Sequence, residues 1–411
     1  MSTTRRCPHA ETPVLDDEFV QDPHVRYAHM RADAPAQRVL TVTGMPVWVI
    51  TRYAEARAAL ADSRFSKDFR RMGAVMDGHA QQGKPRPEFA DSIQAHMLNM
   101  DPPDHTRLRK LVMKAFTARR VEALRPRIEE ITAELLEAMA AKASDMSDVD
   151  LLDEFAFPLP IRVICELLGV PEERRDEFRT WSNSLVGGDP ESARQAAGAM
   201  STYLVELIAR KRREPADDLL TALIEASEDS DRLGEQELVG MVFLLLVAGH
   251  ETTVNLIGNG VLALLRNPDQ LAAVRADPAR VSDVVEETLR YDGPVNLATL
   301  RFTAEAVTMG DVEIPEGELV LVSLSSANRD EDKYAGAQEF DLDRSTSGHL
   351  AFGHGIHFCV GAPLARLEGQ VAVRRLIERF PNLSPAAPHD DVRWRFSTLM
   401  RGLETLPVRL N

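Results

Sequence analysis

"AFGHGIHFCVGAPLARLEG", residues 351–369, packs three glycines, two histidines and one cysteine into Ala351–Gly361 and then turns into helix-like sequence. Pro363 stands where a first helical turn begins, and Leu364, Leu367 and Val371 follow at helical spacing. Cys359 is therefore expected just ahead of a helix N-terminus, where the dipole and free backbone N–H groups favour a thiolate. Gly353, Gly355 and Gly361 would let the backbone approach a bulky partner, and Phe352 and Phe358 offer flat apolar surface. Such a loop suits a metal. Zinc would draw on His354, His357 and Cys359, but H-x2-H-x-C fits no common structural zinc spacing and no fourth ligand stands out. Heme iron needs one protein ligand on that side. An inert buried cysteine leaves the glycines and histidines unexplained.

A bound heme would require partners for its two propionates. His105 and Arg109, four apart in "DHTRLRKL", share a helix face. Arg301 in the strand-like "LATLRFT" and His357 beside the cysteine would complete the clamp. Each alone reads as a solvated surface charge; together they form one cationic patch.

The longest helical pattern, "EQELVGMVFLLLVAGHETTVNLIGNGVLALLRNP", starts at Glu235 and is stopped by Asn267 and Pro268. Its uninterrupted apolar run, Leu238–Gly249, is short of the roughly 18 residues a membrane span needs. It reads instead as a central buried helix. Within it, Glu251 and Thr252 follow Gly249 and His250. A kink with Thr252 bonded back to the Ala248 carbonyl is one reading; a polar notch that holds water and passes protons is the other. Further on, Glu287 and Arg290 in "VVEETLRYDGP" sit three apart among apolar neighbours, which predicts a partly buried ion pair with Arg344 as a third member.

The 411 residues, 44% of them hydrophobic, with 24 prolines and 23 glycines spread evenly, describe an ordinary globular protein with a large core. The organisation expected is one domain over 1–411, without linker or repeat. Short strands are expected within 39–50 and 298–324, and helices through most of the rest. A net charge of −16 argues against nucleic acid or an anionic membrane as partner. Locally, Thr106–Arg127 is basic: Arg107, Arg109, Lys110, Lys114, Arg119, Arg120, Arg125 and Arg127 face only Glu122. Three scattered cysteines (Cys7, Cys165, Cys359) make no disulfide framework. Cys165 reads as a small core hydrophobe. The opening "MSTTRRCPHAETPVLDDEF" has no apolar run of a signal peptide or anchor, so a cytoplasmic protein is expected.

Together these motifs resemble the bacterial cytochromes P450. "FGHGIHFCVG" fits the family's heme-loop pattern F-x-x-G-x-[HR]-x-C-x-G, "AGHETT" its oxygen-activation pattern and "ETLR" its E-x-x-R pattern, in the family's order. The resemblance extends over essentially the whole chain and is closest to actinobacterial hydroxylases of macrolides and other natural products. It implies a mainly helical triangular prism with a long central helix and a small β-rich part. It also implies heme b (iron protoporphyrin IX) with Cys359 as axial ligand. Phe352 would lie against the heme, and His105, Arg109, Arg301 and His357 would hold its propionates. Glu251 and Thr252 would deliver protons, and Glu287, Arg290 and Arg344 would form a structural network. Leu244, Val247, Ala248, Val295, Leu297 and Leu399 would line the substrate pocket, with mobile lids at 70–97 and 184–200. The implied reaction is insertion of one oxygen atom from O2 into a C–H bond of a large hydrophobic substrate, by hydroxylation or epoxidation. No flavin or nicotinamide fingerprint is present, so electrons would come from a ferredoxin and its reductase, steered by the basic patch. A peroxide-using heme peroxygenase and a non-enzymatic heme sensor are the competing readings; neither needs the Glu251–Thr252 pair.

Overall fold

The computed structural model describes residues 12–79, 91–143, 148–186, 190–228, 233–388 and 391–410. Cys7, residues 80–90 of the first expected lid and 187–189 of the second lie outside them.

The architecture is built around the helix Glu235–Arg266. It starts where the Gly234 N–H donates to Glu237 Oε2 at 2.8 Å. It stops at Asn267, whose side chain donates to the Ala263 carbonyl before Pro268 opens a new helix. By length and composition this helix could cross a membrane, but two thirds of its most apolar window is buried inside the protein (67%). It packs against Pro158–Leu167, Val281–Asp292 and Ala362–Arg379, whose apolar faces join one large core. Cys165 is fully buried there.

The expected strands are present: Ala36–Thr41 and Pro46–Ile50 pair antiparallel, and Arg301–Thr303, Val307–Met309, Val312–Ile314 and Leu319–Val322 fill the later region. The main sheet runs Val14–Leu15, Ala36–Thr41, Pro46–Ile50, Leu319–Val322, Arg301–Thr303, Phe65–Ser66. Its edge register, Ser66 opposite Phe302, brings Lys67 beside Arg301. A small sheet of Ser384–Pro385, Pro407–Arg409 and Val149–Asp150 ties the C-terminal segment to the body. Two-residue strands such as these carry no alternation of their own; tertiary pairing creates them.

The Glu287–Arg290 pair is more deeply buried than expected, both residues being wholly inaccessible. Arg290 meets both carboxylate oxygens at 2.7 Å. Its remaining donors reach the carbonyls of Asn328, Ala337 and Glu339 at 2.8–3.1 Å. Arg344 joins through Glu287 Oε1 at 3.5 Å and caps the carbonyls of Ala335 and Gly336. Helix Val281–Asp292 is thereby fastened to the irregular stretch 328–344 that leads into the cysteine loop. Removing one partner strands a buried charge. Glu287→Gln is expected to cost about 3–5 kcal/mol, read as a lowered urea midpoint at unchanged slope.

Candidate active site

The central helix is buried on every side from Leu238 to Leu265 except at Phe243, Val247, Ala248, Gly249 and Thr252. Phe243 with Val247, and Ala248 with Thr252, lie about one turn apart, and together with Gly249 they form a broad open stripe. The helix runs unbroken through Gly249, where a Cβ would meet Ile164 at 3.0 Å. Thr252 Oγ1 does donate back to the Ala248 carbonyl at 2.9 Å. Glu251 does not share the stripe. It is 2% exposed, and its Oε1 accepts from Arg395.

Among the apolar residues expected beside this stripe, Val295 and Leu399 are accessible and Leu244 is nearly closed at 9%. Leu297 is a correction: it is 1% exposed, bridges Ser323 and belongs to the core. Its extended backbone pairs inward, which hydrophobicity alone does not reveal.

The cysteine loop is a tight structure. Cys359 N–H donates to the Phe352 carbonyl at 2.9 Å, around a short turn at Gly355–His357. Gly355 has φ +73°, and a Cβ there would meet the backbone of Leu60 and Ala61 at 2.9 Å. That glycine is therefore required by packing on helix Tyr53–Ala61 rather than by closeness to a bulky partner. Phe352 lies 6.2 Å from Phe358, with the Arg366 guanidinium over its ring at 4.6 Å. Helix Ala362–Arg379 begins beyond Cys359 with Pro363 in its first turn, as its sequence predicts. Although Cys359 is open to solvent on one side, the loss of hydration among the atoms around its sulfur pushes the thiol up, and the N–H groups of Gly361 and Ala362 and the charge of Arg109 pull against that shift. The helix terminus thus favours the thiolate, as expected, against an opposing loss of hydration. Bonding to a metal would make the thiolate outright, because a coordinating thiol gives up its proton.

Beside this loop lies a cluster of cations. The rings of His105 and His357 meet edge-on at 4.5 Å. Arg109 Nη2 donates to the Phe358 carbonyl at 2.8 Å. Arg301 is 4% exposed, and burial pushes its guanidinium down to about 10. Burial, then Lys67, Arg301, His105 and Arg109, hold His357 far below the usual histidine range. Two members were not anticipated. Lys67, 3% exposed, donates to Thr299 Oγ1 and is driven well below the ordinary lysine value by burial and Arg301. His96 is lowered to about 3 by burial and Lys67. Neither has a sequence signature; sheet register delivers one and chain packing the other. Asp101 is the carboxylate acting on Lys67, Arg301 and His105. His96 Nδ1, both ring nitrogens of His105 and Arg301 Nε are buried without a hydrogen-bond partner. A buried arginine and histidines with unpaired ring nitrogens, grouped around Lys67, fit an anionic ligand.

The cytochrome P450 family model matches residues 176–393, just over half the chain. The chain is 62% identical over 396 residues to cytochrome P450 107B1 of Saccharopolyspora erythraea, covering 96% of each. It is 48% identical over 401 residues to the 6-deoxyerythronolide B hydroxylase of the same organism, covering 96% of this chain and 98% of that one. The solved structure of the tirandamycin C-bound P450 monooxygenase TamI superposes with a TM-score of 0.90 at 51% identity, covering 97% of this chain and 100% of that one.

The chain is a cytochrome P450. It is accordingly a heme-thiolate monooxygenase, and its relatives' activities do not favour the peroxygenase or sensor readings. The site fits the cofactor this P450 requires: one accessible cysteine, and beside it a cationic cluster suited to two carboxylates. If Lys67 serves that cluster, Lys67→Met removes a buried charge from the apoprotein and a charge-assisted bond from the loaded one. The expected result is a higher apoprotein melting temperature with heme loss to a scavenging globin roughly 10- to 100-fold faster.

Proposed function

We propose that this P450 works as a single domain over 1–411 that oxidises a large hydrophobic molecule in the cytoplasm, with Cys359 as iron ligand and Lys67, His96, His105, Arg109, Arg301 and His357 as the propionate cradle. Heme held by a thiolate supplies activation of dioxygen, the thiolate's electron density favouring O–O cleavage. The observation that carries the reading is the open stripe that includes Val247, Ala248 and Thr252 on a helix buried elsewhere between Leu238 and Leu265. With Leu244, Val295 and Leu399 it gives an apolar wall for substrate and one hydroxyl for chemistry.

Thr252 spends its proton on the Ala248 carbonyl. Its oxygen is left as an acceptor that can orient a proton-bearing group at the stripe, and Glu251 supplies the acid behind it. The 6-deoxyerythronolide B hydroxylase and the tirandamycin C-bound TamI support a macrocyclic or polyketide-type substrate. A spin-shift titration with 6-deoxyerythronolide B, a steroid and a cyclic peptide selects the working ligand. With that ligand, Thr252→Ala is expected to keep its CO-difference spectrum and binding while most electrons appear as peroxide. Tight coupling of electron use to product in that variant removes Thr252 from the mechanism.

Electrons come from a small acidic ferredoxin in this reading. The basic run is less available than its composition implied: Arg107 is paired with Glu237, Arg125 with Glu122, and Arg127 with Glu130 and Glu166. Lys114 and Arg119 are exposed and carry more of the steering. The expected result is a reduction rate that falls with added salt, less steeply in Lys114→Glu/Arg119→Glu. A salt-independent rate contradicts the docking site.

A further inference from the structure

Glu251 is a buried carboxylate with two differently placed oxygens. Oε1 accepts from Arg395 Nη2. Oε2 is buried without a hydrogen-bond partner and lies 3.9 Å from His250 Nε2, which has none either. His250 is 1% exposed, and its Nδ1 lies 2.8 Å from the Leu246 carbonyl. A carbonyl only accepts, so Nδ1 carries a proton, and burial, which lowers the ring's pKa, favours the neutral form that presents Nε2 as an acceptor. Two acceptors thus face each other, and a proton or a water O–H has to lie between them. The cation in contact with Glu251 is Arg395, which is partly exposed, its side chain accessible to 25%.

Arg395 is held in place from its own side. Residues 393–404 form a hairpin in which Arg395 N–H donates to the Gly402 carbonyl at 2.9 Å and Trp394 bridges Leu403. Gly402 lies so close to Asn255 of the central helix that a Cβ there would overlap the Asn255 side chain. Asn255 Oδ1 is itself 3.4 Å from Arg395 Nη2. The hairpin therefore presses the guanidinium against one turn of the central helix, between solvent and the buried acid.

We propose that Arg395 is a positioning residue for proton delivery: it clamps Glu251 through one carboxylate oxygen, so that the other is presented, with His250, as the site from which a proton passes toward Thr252. The inference rests on the role given to Glu251 above. An unclamped buried carboxylate would lose its counter-ion and its fixed orientation.

The test uses the heme-loaded protein with the ligand selected by spin shift, and compares Arg395→Gln, Arg395→Lys, Glu251→Gln and the Arg395→Gln/Glu251→Gln double variant. An unfolding cycle across the four proteins needs no substrate and reads whether the two side chains are coupled; strict additivity overturns the clamp. Arg395→Gln is expected to keep ligand affinity and the CO-difference spectrum. Its product per electron should fall roughly tenfold, a share of the ~100-fold or more that a positioned proton donor supplies, and its solvent deuterium isotope effect should rise. Arg395→Lys should restore most of the coupling, and the double variant should be no worse than Glu251→Gln. Unchanged coupling in Arg395→Gln, or a further loss in the double variant, overturns the role of Arg395. Full coupling in Glu251→Gln is a different failure, and overturns the role of Glu251 itself.

Discussion

The guanidinium of Arg290 has five N–H donors, and all are spent inside the protein: two on Glu287 and three on the carbonyls of Asn328, Ala337 and Glu339. The Ala337 and Glu339 carbonyls lie in a stretch without regular structure, and the Asn328 carbonyl ends the short helix Leu324–Asn328, so no ladder of their own satisfies them. One buried side chain therefore does for residues 328–344 what a neighbouring strand would do elsewhere. The order is passed on: Asn328 Oδ1 accepts from the Leu350 N–H at 2.6 Å, and Leu350 accepts from Gly353 at the start of the cysteine loop. The position of Cys359 is thus set by packing and hydrogen bonds behind the loop, before any cofactor is considered. A lysine could not replace Arg290, because three donors on a flexible stem cannot span this fork.

The second constraint is electrostatic. A chain with net charge −16 concentrates Lys67, His96, His105, Arg109, Arg301 and His357 around one place and offers Asp101 as a counter-charge. Their shifts all run toward the neutral form, first because the groups are buried and then because like charges face one another. A dianionic ligand would add an attraction to each charged member and favour the protonated histidines, offsetting part of the cost of burial and repulsion. The same holds at Cys359, where surrounding protein disfavours the thiolate that the metal would favour. The site is unfavourable alone and complementary to its cofactor.

What could be read from the sequence followed from how local each signal is. The central helix was legible to within a residue, because an apolar run and an Asn-Pro stop are properties of neighbouring residues. Glu287–Arg290 was legible as a pair, since three residues apart on a helix is already a contact. Lys67, His96 and Arg395 were not. Each reaches its place through an element distant in sequence: the sheet edge opposite Phe302, the packing of 91–99 on the central helix, and the C-terminal hairpin. Leu297 fails for a related reason. Its hydrophobicity is shared by pocket and core alike, and only the bridge to Ser323 decides which it joins.

Glu251 and Thr252 show how far a motif can be from a geometry. Adjacent residues on an α-helix point about 100° apart, so the two side chains leave the helix in different directions. Thr252 is accessible together with Val247 and Ala248, whereas Glu251 is buried beneath Arg395 of the C-terminal hairpin. There it would be an intolerable isolated charge, and Arg395 makes it tolerable while the backbone of the helix stays unbroken. The pair is therefore a corner rather than a line. Protons collected on the inner side must be handed around the helix to the hydroxyl, and the length of that step is fixed by the helix itself rather than by the substrate bound beyond it.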